Sequence, residues 1–164
     1  MGEREMTESY LDMLEESLDQ KIQVLEEIEK ENLVQKDILE NEEGFDEESF
    51  DETLNRKSEL IKRVESLNDG FETVFARVKE ELDNNREKYK DRIHIYQDKI
   101  RRITDLSNSI EVGELRNRNL VATHVNKTRD QINTKRKSSK AALDYYLTMN
   151  KSKITPPQFY DTKN

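Results

Sequence analysis

The sequence contains no cysteine, and its only two prolines, Pro156 and Pro157, lie near its end. Without cysteine there is no disulfide framework, no thiolate nucleophile and no cysteine metal site. No apolar run approaches the roughly 18 residues that a membrane-spanning helix needs. The first ten residues, MGEREMTESY, lack the apolar segment of a signal peptide. We therefore expect a cytoplasmic protein that is not inserted into a membrane.

The composition favours long helices over a thick globular core. Only 32% of the 164 residues are hydrophobic, and 39% are charged. Such a bias is typical of coiled coils, and the competing interpretation for so polar a chain is disorder. Strong apolar periodicity, described below, favours helix everywhere except at the ends.

The charges are unevenly distributed along the chain. Residues 1–52 carry 20 acidic and 4 basic side chains, a net charge of −16, whereas residues 53–164 carry 16 acidic and 24 basic ones, a net charge of +8. Opposed charges of this kind favour pairing of the two parts, within one chain or between two chains. The distribution does not favour nucleic acid as the main partner.

The first helix is predicted over residues 8–42. Apolar residues recur there at three- and four-residue steps, namely Leu11, Leu14, Leu18, Ile22, Leu25, Ile28, Ile38 and Leu39. Gly44 is expected to end this helix and Asp46 to cap the next one. Phe45 and Phe50 flank that cap at the spacing of a hydrophobic staple. The short connection predicts that the first two helices are antiparallel neighbours.

The second helix is predicted over residues 46–107, because its apolar stripe keeps nearly one phase throughout. Lys57, Asn68 and Asn85 interrupt this stripe, which weakens the seam and fixes its register. Gly70 is interpreted as a tolerated interior glycine, and a break there, giving four helices, is the alternative.

A turn within SNSIEVGE, residues 107–114, is predicted to lead into a third helix over 113–150. The middle helix would then span about 90 Å at 1.5 Å per residue, so the two shorter helices would overlap only near its centre. The predicted fold is all-α: an elongated antiparallel three-helix coiled-coil bundle over residues 1–150, with one very long central helix and an extended tail over 151–164. The uncovered seam would need a second copy, in a homodimer, or a partner helix.

The sequence carries no recognisable catalytic or cofactor motif. It has no phosphate-binding loop, nucleophile elbow or zinc-type spacing, and its two histidines, His94 and His124, share no motif. We expect neither an enzyme nor a cofactor or metal site. The basic cluster 129–140 has no interleaved aromatic residue, so we expect it to pair with acidic helices and not with nucleic acid.

Two stretches near the end are rich in aromatic residues. AALDYYLTM, residues 141–149, carries apolar side chains around most of the helix circumference. It is either a packed cluster at the end of the bundle or a site for an amphipathic partner helix. The prolines hold the following Phe159 and Tyr160 in an extended tail, which is either a docking peptide or a frayed terminus that folds back.

Three stretches together resemble the FlgN-type flagellar export chaperones. YLDMLEESLDQKIQVLEEI is similar to the leucine-spaced first helix of that family, and LNRKSELIKRVESL, from Leu54 to Leu67, is similar to the start of its second helix. PPQFYDTKN resembles the aromatic ending, with Tyr160 at the aromatic position and Asp161 where the family carries glycine.

The resemblance implies a cytoplasmic chaperone for hook–filament junction proteins. It implies that Leu143, Tyr146 and Leu147 bind the amphipathic terminal helix of the client, which prevents premature assembly. It also implies that Tyr160 docks on the membrane export gate of the type III export system. The alternative is a structural coiled-coil protein that assembles with itself and has no client.

Overall fold

The computed structural model describes residues 2–128 and 140–145, and these residues are helical apart from two connections. The helices are α1 (Gly2–Leu39), α2 (Glu47–Asn84) and α3 (Lys90–Thr128). A further helical stretch, called segment 140–145, follows. The described part of the chain contains no strand, so the predicted all-α class is confirmed. Residues 129–139, 146–150 and the predicted tail lie outside the described residues.

Helices α1 and α2 are antiparallel, as predicted. Tyr10, early in α1, accepts a hydrogen bond at 3.1 Å from Arg77, late in α2. Glu31, late in α1, pairs at 2.9 Å with Arg56, early in α2. The residue numbers therefore run in opposite directions along this interface.

Helix α3 returns parallel to α1. Arg92, at the start of α3, donates a hydrogen bond to Asp12 at 2.6 Å, and Asn117 donates to the carbonyl oxygen of Asn32 at 2.9 Å. Helix α1 packs closely against both α2 and α3. The result is an up-down-up bundle of three helices, and basic side chains of α2 and α3 pair with the acidic α1 within one chain.

The connection between α1 and α2 follows the predicted chemistry. Gly44 has φ +142°, a left-handed value that favours glycine. The side chain of Asp46 caps α2 by accepting from the backbone N–H of Ser49 at 3.2 Å. The rings of Phe45 and Phe50 lie 5.3 Å apart across this cap, as the predicted staple requires.

The predicted continuous helix over 46–107 is wrong, because a turn at residues 85–89 separates α2 from α3. Asn85 closes α2: its backbone N–H bonds to the Leu82 carbonyl at 3.3 Å, and its side-chain amide bonds to the Glu81 carbonyl at 2.9 Å. These hydrogen bonds replace those that would continue the helix, and asparagine commonly disfavours helix in this way. Leu82 and Tyr89 are both buried across the turn, so the apolar phase continues where the helix does not.

The predicted turn in residues 107–114 is also wrong, because α3 runs through it without a break. Gly113 is buried against α1, and a Cβ atom there would lie 3.2 Å from the Asn32 side-chain nitrogen. This glycine therefore permits close approach of two helices and does not form a turn. Gly70 lies inside α2, as predicted.

These two corrections change the geometry of the bundle. The three helices have 38, 38 and 39 residues, so each is about 57 Å long and they cover one another. The predicted mismatch of lengths, and the uncovered seam that followed from it, are not present in the described helices. The buried apolar core runs through all three, and its largest members include Leu11, Leu14, Leu25, Ile28, Phe50, Leu82, Tyr96, Ile103, Leu106 and Ile110.

Candidate functional site

Two of the six side chains of segment 140–145 are buried. Ala142 is completely buried and Tyr145 is 5% exposed, whereas Leu143 is 57% exposed. The buried positions are three residues apart, which places them on one face of the helix. Leu143 is therefore presented to solvent on the other side of the segment.

Tyr145 lies on an ion pair that joins α2 to α3. The Lys57 ammonium lies 2.6 Å from the Glu114 carboxylate, and both side chains are buried. The Tyr145 hydroxyl donates to Oε1 of Glu114 at 3.2 Å, and the Lys57 nitrogen lies 4.4 Å from the centre of the tyrosine ring. The tyrosine thus contacts both members of the ion pair.

A network of buried polar side chains extends from this pair into α1. Lys57 donates to the side-chain oxygen of Gln35 at 2.9 Å, and the Gln35 amide donates to the Thr53 hydroxyl at 3.0 Å. The Asn117 amide donates to Gln35 at 3.1 Å and to the Asn32 carbonyl at 2.9 Å. We call these side chains, together with Glu114, the polar layer.

The polar layer is electrostatically costly. Burial lowers the pKa of Lys57 to about 8, although the nearby Glu114 carboxylate partly opposes this shift. The desolvation of a buried ion pair commonly consumes most of the attraction between its members. We therefore expect the layer to contribute more to the alignment of the three helices than to their stability.

Several atoms in and beside the polar layer have no hydrogen-bond partner among the described residues. They are both side-chain polar atoms of Asn32, Oε2 of Glu114 and Oγ of Ser107. A buried polar group without a partner costs about 1–3 kcal/mol. Each of these buried atoms therefore destabilises the folded bundle.

A second buried polar contact lies nearer the N-terminus of α1. Lys21 is 3% exposed and donates to the Asn68 side chain at 2.5 Å. Burial lowers the pKa of Lys21 to about 8. The three predicted seam interruptions thus have two outcomes: Lys57 and Asn68 contact polar residues of other helices, whereas Asn85 ends α2.

A shallow groove separates segment 140–145 from α2. Its walls are formed by Asp51, Leu54, Asn55, Ser58, Ala141, Asp144 and Tyr145. Leu143 is not part of this lining, although it lies on the same short segment as Ala141, Asp144 and Tyr145.

Among the predicted site residues, only Leu143 lies in the described part of the chain. Tyr146, Leu147 and Tyr160 fall outside it, so the structure does not test whether these residues come together. The sequence drew attention to Lys57 and, within 141–149, to Tyr145, but missed Gln35 and Glu114. Polar residues are common on exposed helix faces, so periodicity gave no signal that these two are buried.

The described residues contain neither a metal-like cluster nor a candidate membrane span. No group of three or more His, Asp or Glu side chains in residues 2–128 and 140–145 has the arrangement to hold a metal ion. Within the same residues, no helix combines the length and apolar character needed to cross a bilayer. His94 lies 3.7 Å from Asp98, and the ring of His124 lies 4.1 Å from that of Phe45.

Comparison of the chain with protein-family models, with curated proteins and with solved structures gave no match.

Proposed function

We propose that this chain is a cytoplasmic, non-enzymatic chaperone that binds an amphipathic helix of a client protein. The observation that carries the proposal is the exposed Leu143 on a helical segment whose Ala142 and Tyr145 are buried. Such a segment offers an apolar contact without opening the main core.

The groove along segment 140–145 offers a mainly polar wall to a client helix, and Leu143 is the apolar side chain exposed nearby on the same segment. Asn55 and Ser58 supply polar groups along the wall, whereas Leu54 and Tyr145 are buried and expose little apolar surface. Helix-in-groove binding uses a few apolar anchors together with a polar rim. A client helix that contacts Leu143 would lie against this segment.

The resemblance to FlgN-type chaperones names the client class. We propose that the client helix comes from a hook–filament junction protein, and that Tyr146 and Leu147 contact it together with Leu143. We further propose that Tyr160 docks on the membrane export gate. No cofactor or metal takes part in this function.

Co-purification with hook–filament junction proteins tests the proposal. Leu143→Asp places a charge in the client contact and is expected to weaken binding at least about tenfold, which corresponds to ~1.4 kcal/mol. Val112→Asp is the matched control, because Val112 is 68% exposed on α3. Unchanged binding by Leu143→Asp, or an equal loss in both variants, would contradict the proposed site.

The second candidate function is a self-assembling structural protein without a client. The described helices are matched in length and bury their apolar stripes within one chain, which removes the uncovered seam that suggested both a second copy and a partner helix. Sedimentation across concentrations distinguishes the candidates. A tight homodimer that captures no junction protein would favour self-assembly.

A further inference from the structure

We propose that a small cavity beside Lys21 is a binding site for one water molecule, which solvates the buried ammonium group. The residues that line the cavity come from all three helices and are Ser17, Leu18, Lys21, Leu67, Asn68, Phe71 and Ile100. Along α2, the cavity lies more than two helical turns from the residues that border segment 140–145. It is therefore separate from the proposed client site.

Lys21 is a buried cation that forms no ion pair with the described residues. Its side chain is 3% exposed, and its ammonium group donates to Oδ1 of Asn68 at 2.5 Å. No carboxylate in residues 2–128 and 140–145 pairs with it. An ammonium group has three N–H donors, and a buried charge is costly unless it is hydrogen-bonded. A further acceptor at this ammonium would therefore stabilise the charged form.

A second polar group borders the same cavity. Ser17 lies four residues before Lys21, so the two side chains share one face of α1. The Ser17 hydroxyl donates to the Leu67 carbonyl at 3.4 Å, and a hydroxyl oxygen can also accept hydrogen bonds. One water can thus accept from Lys21 and donate to Ser17, with the Asn68 side chain on the same wall. Buried waters typically have two to four such partners.

The size and lining of the cavity favour water over an ion. The room for the centre of a water-sized sphere is about 10 Å³, which is about the least that one water molecule requires. A chloride ion is larger than a water molecule, so it would force the walls apart. Purely apolar cavities stay dry, whereas an ammonium group and a hydroxyl group make this cavity favourable for water.

The water replaces part of the hydration that Lys21 loses on folding. The pKa of Lys21 is lowered to about 8, so the ammonium stays charged at neutral pH. The charge strengthens its hydrogen bond to Asn68, which joins α1 to α2. Displacing the water would remove an acceptor from the charged form, and the pKa of Lys21 would fall further.

Two substitutions at Ser17 test the site, because both remove the hydroxyl but only one fills the cavity. Ser17→Val places two methyl groups in the space of the water, whereas Ser17→Ala leaves room for it. Carbon-13 NMR of the lysine side chain measures the proton affinity of Lys21 in each full-length chain. We expect this affinity to be at least about tenfold lower in Ser17→Val than in Ser17→Ala. Equal affinities in two folded chains would overturn the proposal.

A crystal structure of the wild-type chain, grown with bromide in place of chloride, identifies the occupant directly. We expect a water-sized density peak within hydrogen-bond distance of Nζ of Lys21 and Oγ of Ser17, with no anomalous signal from bromide. A cavity without density, or one with a bromide signal, contradicts the proposal. This measurement decides the matter even if Ser17→Val does not fold, and neither result depends on client binding.

Discussion

At the scale of single residues, polar side chains in the core connect all three helices. Gln35 contacts Lys57, Thr53 and Asn117, so one glutamine joins side chains from α2 and α3. Asn32 acts differently, because its backbone carbonyl accepts a bond while its side-chain polar atoms have no partner among the described residues. We therefore expect truncation of Gln35 and truncation of Asn32 to change the free energy of unfolding by different amounts.

The first prediction compares Gln35→Ala with Asn32→Ala. Gln35→Ala leaves Lys57 and Asn117 with fewer buried partners and is expected to lower the free energy of unfolding by about 2–4 kcal/mol. Asn32→Ala removes unpaired atoms and keeps the carbonyl, so we expect a change within about 1 kcal/mol. Urea unfolding measures both values, and equal losses would contradict the assigned contacts.

The second prediction concerns pH. Burial lowers the pKa of Lys21 and of Lys57 to about 8, whereas an unfolded lysine titrates near about 10.4. Between these values the unfolded chain binds more protons than the folded chain, so the free energy of unfolding rises with pH. Burial also raises the pKa of Tyr96 to about 12, which reverses the trend above about pH 10.

Urea unfolding at a series of pH values checks this trend. Lys21→Met should reduce the rise between about pH 8 and 10, because it removes one buried titrating group. Lys62→Met is the control, since the Lys62 side chain is 71% exposed. A profile that Lys21→Met leaves unchanged would show that this lysine is not buried as described.

At the scale of elements, periodicity predicted α1 but not the division of the chain between α2 and α3. The cap at Asp46 could be predicted from the local sequence, and the interior Gly70 from the apolar stripe that crosses it in phase. The turn at Asn85 could not, because buried Leu82 and Tyr89 keep the stripe in phase across it. The role of Gly113 was missed because its reason is a contact with α1, far away in the sequence.

The third prediction compares alanine at two helical glycines. No atom lies within 4 Å of a Cβ added at Gly70, so Gly70→Ala should gain about 1 kcal/mol of helix propensity. Gly113→Ala should gain less, because its Cβ would lie 3.2 Å from the Asn32 amide. In an Asn32→Ala background that contact is absent, and Gly113→Ala should become as favourable as Gly70→Ala. Thermal unfolding is measured for the wild type, for Gly70→Ala, for Gly113→Ala, for Asn32→Ala and for the Asn32→Ala, Gly113→Ala double variant. Equal gains from the two glycine substitutions in the wild-type background would contradict the contact at Gly113.

At the scale of the whole molecule, three helices of matched length form a bundle whose described apolar stripes are covered from within. The class, the antiparallel α1–α2 pair and the pairing of opposed charges could be predicted from the sequence, but not that these charges pair within one chain. The burial of the polar layer could not, because Gln35, Glu114 and Asn117 resemble surface residues until their helices are packed. The position of segment 140–145 could not be predicted either, because it depends on the contacts of Tyr145 with Lys57 and Glu114.

The central claim is that a client helix binds at segment 140–145, and hydrogen exchange tests it most directly. Backbone amide exchange is measured with and without the terminal-helix peptide of a hook–filament junction protein. We expect slower exchange in segment 140–145 and in residues 51–58 of α2, with no change in residues 67–82 at the other end of α2. Unchanged exchange over both 140–145 and 51–58, with the peptide bound elsewhere or not at all, would contradict the claim.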